Sequence, residues 1–390
     1  MSTHQLIYLD YQATTPLAPE VLDAITPYLR EEFGNPHATS HAMGRSSANA
    51  IEHARHQMAT AIGAERREIV FTSGATEANN LILRNAVRLA VEGGRQTILT
   101  CPTEHKAVLE VLSSLAREGI KVRMVPVGED GLVELQEFSA MLSEDVGLVS
   151  IMTVNNEIGV IQPIEKIGQI CRAAGVPFHT DAAQALGRVP LEVGRMNVDF
   201  MSISGHKTYG PKGVGAAYIS RSFKRQFEPL IVGGAQEGGL RGGTLPTPLI
   251  VGLGCAAELA VETVVAAREH AAAMRDRFLA VLDEHRVSYT VNGSLIERWP
   301  GNLNISFSGI DAEALVTAVS ARLAISTGSA CTAASLAPSH VLKALGLDDE
   351  RMESAVRIGF GRPTRLEEVD EAARLLAAQA DRLSSIRRVA

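Results

Sequence analysis

Cysteine is scarce. The 390-residue chain has four, Cys101, Cys171, Cys255 and Cys331, and no two form a CxxC pair. In a reducing compartment that spacing argues against a disulfide framework and against a thiolate zinc site, and no metal site is expected. Excess positive charge is lacking too. The net charge is -7, which repels a phosphate backbone on average and argues against general nucleic-acid binding, while leaving room for a local basic patch. The N-terminal residues have no basic start followed by a long apolar run, so no signal peptide is expected. No uninterrupted apolar stretch has the length of a bilayer span. A cytoplasmic protein is the expectation. Internal repeats and low-complexity segments are also missing.

The composition that remains is ordinary for a globular protein, 46% hydrophobic and 21% charged. A chain of 390 residues is too long for one small core and typical of two domains. From about residue 60 to 260, strand-like and helical runs alternate. Strands are predicted over 68–72, 96–100, 121–127, 146–154, 176–180, 199–203 and 214–219, with helices over 75–92 and 105–118. The strand runs are apolar on both faces, as in a sheet covered by helices on both sides, which predicts an α/β layer with a mostly parallel sheet. After Pro248 the pattern changes. An Ala-rich helix over 249–284, strands over 302–307 and 355–360 and a closing helix over 366–387 predict a smaller α+β domain, with the first dozen or so residues packed against it.

Three sites in the α/β part carry chemistry. The strand at 69–71 ends in Thr72-Ser-Gly-Ala-Thr-Glu77 at a helix start, whose unpaired N–H groups and hydroxyls suit a phosphate; Ser73 or Thr76 capping the helix explains the same residues. Lys207 follows an apolar strand, between Ser204-Gly-His206 and a Gly-Pro turn. Desolvation there would make it a usable amine, with Ser204 and His206 within reach of the same phosphate; a solvated loop lysine, as Lys212 is expected to be, is the alternative. Asp181 ends another apolar run, where its carboxylate would hold a pyridinium nitrogen protonated and Gln184 would donate to a ring oxygen; taken by itself, the residue reads first as an aspartate capping a helix. A lysine, an acid and a phosphate cradle, all at strand ends of one α/β layer, are the parts a pyridoxal-phosphate site needs.

The chain resembles the cysteine desulfurases of the NifS/IscS type, among the aspartate-aminotransferase-like pyridoxal-phosphate enzymes. The resemblance rests on Tyr8-Leu-Asp-Tyr-Gln-Ala-Thr-Thr-Pro16, Phe33-Gly-Asn-Pro36, Phe71-Thr-Ser-Gly-Ala-Thr-Glu77, Thr103-Glu-His-Lys-Ala107, Val154-Asn-Asn-Glu-Ile-Gly159, Ser204-Gly-His-Lys207, Thr327-Gly-Ser-Ala-Cys-Thr332 and Val356-Arg357, nearly end to end. The short Gly-Ser-Ala-Cys loop is like that of the group I enzymes. The resemblance implies pyridoxal-phosphate fold type I, with a large cofactor-binding domain over 15–258 and a small domain of 1–14 and 259–390 carrying the Cys331 loop.

It also implies roles. Lys207 matches the lysine that binds the cofactor covalently, His105 the histidine stacked on its ring, Asp181 the partner of the ring nitrogen and Gln184 that of the phenolic oxygen. Ala75, Thr76, Ser204 and His206 match phosphate anchors. Thr244 matches a threonine that reaches the neighbouring subunit's phosphate, so a homodimer is implied. Asn156 and Arg357 match the holders of the substrate carboxylate, and Cys331 the nucleophile that takes sulfur from L-cysteine as a persulfide and hands it to an acceptor protein such as an iron–sulfur scaffold. Two residues gain support from their surroundings. Period 2 puts Ala355, Arg357 and Gly359 on one strand face, which leaves room for a carboxylate beside the arginine fork; an edge-strand arginine facing water is the alternative. His105 could equally cap its helix. Cys331 lies among small residues, where a thiol can be exposed; Cys101, Cys171 and Cys255 sit in apolar patterns of buried thiols. The chain departs from the family at Gly238, since Glu237 is usually followed by Arg-Gly and here by Gly238-Gly239, and at Thr327, where serine is usual. It also ends short of the tail that many iron–sulfur-assembly members carry, which leaves scaffold docking open. Another pyridoxal-phosphate reaction, such as selenocysteine lysis or transamination, and a cofactor-free sulfur carrier are the rival readings.

Overall fold

The structure, a computed structural model, describes residues 6–327 and 338–389. In chain order the strands are β1 (Ile7–Tyr8), β2 (Ile69–Thr72), β3 (Thr97–Thr100), β4 (Lys121–Met124), β5 (Val146–Ser150), β6 (Phe178–Asp181), β7 (Phe200–Ser204), β8 (Gly215–Ile219), β9 (Tyr289–Val291), β10 (Asn302–Phe307), β11 (Leu323–Ala324), β12 (Ser326–Thr327) and β13 (Ala355–Gly359). The helices are α1 (Pro19–Arg30), α2 (Ala42–Ala61), α3 (Ala75–Glu92), α4 (Lys106–Arg117), α5 (Leu135–Met141), α6 (Ile164–Ala174), α7 (Val193–Met196), α8 (Arg221–Lys224), α9 (Thr247–Glu284), α10 (Ala312–Val319), α11 (His340–Ala344), α12 (Asp349–Glu353) and α13 (Leu366–Val389).

The main sheet runs β2-β8-β7-β6-β5-β3-β4. Only β8 is reversed, antiparallel to β2 and β7, and the other pairs are parallel. Every residue of β2, β3, β5, β6, β7 and β8 is buried, the burial that two helical layers impose on Val- and Ile-rich strands. β4 departs from the expectation. It is the sheet edge, with Lys121, Arg123 and Met124 exposed, and charged side chains there keep the unpaired edge from recruiting another strand. Thr72, Asp181 and Ser204 end β2, β6 and β7, which all point the same way, so the polar residues gather at one rim of the sheet.

The second sheet, β12-β13-β10-β9, is antiparallel, and β1 pairs in parallel with β11. The long helix α9 joins the two parts. Ile250, Leu253 and Ala257 pack into the core under the main sheet, and Phe278, Val281 and Leu282 into the core of the second. Among the described helices it alone is long and apolar enough to cross a membrane by length and composition. Glu258 and Glu262 interrupt its apolar run, and it lies packed along α1, α2 and α13.

α1 and α2 were not read from sequence. The buried face of α2 includes Gly44, Ser47, Ile51, Ala54 and Met58, of which only Ile51 and Met58 are large and apolar. Tight helix contact replaces side-chain volume there: a Cβ on Gly254 of α9 would stand 2.6 Å from Ala54 Cα.

Candidate cofactor and substrate site

A cavity of about 500 Å³ opens at the carboxyl rim of the main sheet and brings together Ala75, Thr76, His105, Asn156, Asp181, Gln184, Ser204, His206, Lys207 and Arg357. Ten of the twelve residues singled out from sequence therefore share one space. Thr244 does not; it is exposed and lies outside this cavity. Cys331 lies outside the described residues, but the chain on either side of it is held near the cavity. Ser326 pairs opposite Arg357 in the β12–β13 ladder, and His340 Nε2 lies 2.9 Å from the carbonyl of Glu104, beside His105.

Lys207 stands in the turn after β7. Its Nζ donates to the carbonyls of Gln12 and Ala13, at 2.7 Å each. Gln184 Nε2 donates to the same Gln12 carbonyl at 2.9 Å, and its Oε1 is buried with no hydrogen-bond partner among the described residues. Gly359 packs closely against this segment, since a Cβ there would stand 1.7 Å from Gln12 Oε1 and 2.8 Å from Tyr11 N. The turn itself needs glycine, because a Cβ on Gly205 would meet Pro211 O at 2.9 Å. Lys212, expected as a solvated lysine, is exposed and borders the cavity.

Asp181 is 3% exposed. Its Oδ1 accepts from Ala183 N at 2.9 Å and its Oδ2 from Asn79 Nδ2 at 2.7 Å. Asn79 comes from the middle of α3 and is fully buried; sequence reasoning missed it, because a polar residue within a helix reads as surface. At the start of α3 the cap residue is Gly74 and no side chain caps the helix. Neither Ser73 nor Thr76 takes that role, so the first turn of α3 faces the cavity as an uncapped helix N-terminus, suited to an anion. A Cβ on Gly215 of β8 would lie 2.6 Å from Gly74 Cα, so the strand sits hard under the cradle.

His105 does cap its helix, its Nδ1 accepting from Ala107 N at 3.1 Å. That bond sets the tautomer with the proton on Nε2 and leaves the ring to border the cavity. His206 Nδ1 lies 3.1 Å from Thr14 Oγ1; burial, then the charges of Lys207 and Lys212, push its pKa down to about 4, so it is a neutral hydrogen-bonding group. Arg357 is buried in a central strand of the second sheet, not on an edge, and faces the cavity with Asn156. Cys101 and Cys171 are buried and pushed up to about 12 by burial, which makes them poor nucleophiles; Cys255 is half-buried and raised for the same reason.

The sequence profile of the class-V aminotransferases matches residues 7–372. The cysteine desulfurase IscS of Rickettsia africae (strain ESF-5) is 46% identical over 380 residues, which span 97% of this chain and 92% of that one. The chain belongs to the class-V aminotransferase family, among the cysteine desulfurases. A solved NifS-like protein superposes on this cysteine desulfurase with a TM-score of 0.91 at 36% identity, covering 97% of this chain and 100% of that one. A structure of SspA in complex with cysteine gives 0.80 at 39% identity, covering 91% and 98%. The fold expected from sequence, pyridoxal-phosphate fold type I with its mostly parallel sheet, is the fold of this cysteine desulfurase, and pyridoxal phosphate is the cofactor of its family. The residues present fit that cofactor. An amine held on main-chain carbonyls, a buried carboxylate and an uncapped helix N-terminus surround one cavity.

The departure from the family at residue 238 falls in an unusual turn. Glu237, Gly238 and Gly239 all take left-handed backbone, with φ of 50°, 66° and 86°, where an arginine at 238 would be strained. Glu237 is clamped beneath this turn: its Oε2 accepts from Phe71 N at 2.7 Å and Arg55 Nη1 at 2.8 Å, and its Oε1 from Arg55 Nη2 at 2.6 Å. Arg241 pairs with Glu77 at 3.1 Å.

Proposed function

We propose that this cysteine desulfurase works with Lys207 carrying pyridoxal phosphate, Arg357 and Asn156 binding the carboxylate of L-cysteine, and Cys331 receiving the sulfur as a persulfide while L-alanine is released. The observation that carries this reading is the convergence of Lys207, Asp181 and Arg357 on one cavity. When bound, the cofactor supplies an electron sink for the carbon that loses its proton. Asp181, oriented by Asn79, holds the ring nitrogen's proton, and Gln184 answers the phenolic oxygen. Ala75, Thr76, Ser204 and His206 hold the phosphate at the start of α3. His105 would border the bound ring and hold a proton at Nε2. Lys207 would move a proton at the substrate's Cα.

In this reading residues 15–258 form the cofactor-binding unit, and 1–14 with 259–390 the unit that brings Cys331 to the substrate sulfur. Thr244, exposed and away from its own cavity, reaches the phosphate of a second copy, so the working form is a homodimer. It acts in the cytoplasm and passes sulfur to an acceptor protein, with an iron–sulfur scaffold the reading favoured by the likeness to IscS. The test is Cys331→Ser in the holoenzyme. It keeps the cofactor's absorbance and releases no alanine from cysteine; steady alanine formation by that variant would refute the assignment.

A further inference from the structure

The guanidinium of Arg357 is already paired. Its Nη2 donates to Asp10 Oδ1 at 2.8 Å and its Nη1 to the Asn156 carbonyl at 3.2 Å, while Nε has no hydrogen-bond partner among the described residues. The side chains are 3% and 17% exposed for Arg357 and Asp10. Asp10 is itself held in place. Its backbone bridges Gly359, two residues along β13 from Arg357, and its carbonyl accepts the Tyr8 hydroxyl at 3.1 Å. The same Oδ1 also accepts from Ser326 Oγ at 3.1 Å. Arg357 borders the cavity, whereas Asp10 is not among its lining residues. One guanidinium therefore faces a carboxylate behind it and open space in front.

This arrangement has two effects of opposite sign on an incoming carboxylate. The charge-assisted bond fixes the plane and direction of the fork, which favours bidentate capture. The Asp10 charge also satisfies a desolvated cation before any ligand arrives, and it repels a second carboxylate on the same group. Orientation needs only an oxygen at Oδ1; charge neutralisation needs the anion. We propose that Asp10 is a positioning residue that sets how tightly Arg357 grips an α-carboxylate, keeping the fork aimed while weakening its hold so that substrate and product exchange. This rests on the reading above that Arg357 binds the substrate carboxylate.

Asp10→Asn separates the two effects, because the amide oxygen can still accept from Arg357 Nη2 and Ser326 Oγ while the charge is gone. Binding of L-alanine and of L-alaninamide to the holoenzyme is measured by calorimetry for the parent, Asp10→Asn, Arg357→Gln and the double variant. In Asp10→Asn the Kd for L-alanine falls about tenfold, the Kd for L-alaninamide stays put, and the gain vanishes when Arg357→Gln is added. The KM for L-cysteine falls with no rise in kcat, the mark of tighter ground-state binding. Equal or weaker L-alanine binding in Asp10→Asn, with Arg357→Gln still weakening it, overturns the proposal. L-Alanine affinity that is indifferent to Arg357→Gln overturns the carboxylate assignment of Arg357 instead. Should Asp10→Asn fail to fold, Asp10→Ser removes the charge and the aimed acceptor together: tighter L-alanine binding that vanishes with Arg357→Gln still supports the proposal, and equal or weaker binding overturns it.

Discussion

Asn79 orients Asp181 from a helix on one side of the sheet, and it does so without exposure to solvent. Asn79→Ala would leave the carboxylate short of one of its two donors, and a buried acceptor left unpaired costs about 1–3 kcal/mol. Unfolding by urea should report that loss, and turnover should drop by about tenfold or more through the misaligned Asp181; parental turnover would show that Asn79 is only a packing residue. His179, two residues before Asp181, is fully buried between Ser150 Oγ at 2.8 Å and Ser202 Oγ at 3.1 Å. Burial lowers its pKa from 6.5 to about 3. Between those values the unfolded chain binds the proton and the folded one does not. Its contribution is therefore present above pH 6.5 and lost on acidification, with a slope of up to about 1.4 kcal/mol per pH unit. The melting temperature should fall steadily from pH 6.5 to 4.5, less steeply in His179→Gln; a flat profile for the parent would contradict the linkage. Lys207, Asp181 and Arg357 were legible in the sequence because each ends or interrupts an apolar strand run. Asn79 was not, since nothing local distinguishes a buried helix amide from a solvated one. The acceptor carbonyls of Gln12 and Ala13 were not either, because main-chain atoms leave no trace in residue identity.

Among the elements, α9 bears most directly on the site without entering it. A Cβ on Gly252 would stand 2.6 Å from Pro211 Cγ, and one on Gly254 2.6 Å from Ala54 Cα, so the helix lies against both α2 and the turn that presents Lys207. Gly254→Val should overpack this junction and cost about 1–3 kcal/mol, read as a lower urea midpoint; an unchanged midpoint would mean that α2 can give way freely. The helix itself was legible from 249 onward, as was α3 over 75–92, because long periodic segments declare themselves. α2 hid because glycine, serine and alanine supply much of its buried face, with Ile51 and Met58 its only large apolar residues there. β4 misled in the other direction, its apolar residues sitting on an exposed edge.

At the scale of the molecule, the homodimer proposed through Thr244 would make each cavity depend on two chains. The protein should then elute at about twice its 41.6 kDa chain mass, and mixing Lys207→Ala with Thr244→Ala chains should restore part of the activity that each homodimer lacks. Light scattering together with a mixing assay checks both; an active monomer would remove the role given to Thr244. This level was the least legible from the chain itself. A threonine that serves another subunit looks, in its own fold, like any exposed loop hydroxyl.

The Lys207 amine rests on the carbonyl of residue 12, an atom that every amino acid carries. Replacing Gln12 therefore cannot delete that contact, and inheritance is free to vary the side chain as far as the lysine is concerned. The vulnerability is displaced to Gly359, where a Cβ would stand 2.8 Å from Tyr11 N, in the backbone just before residue 12. The main chain that supports the amine is thus crowded by a codon about 350 positions downstream, in a residue that lies outside the cavity.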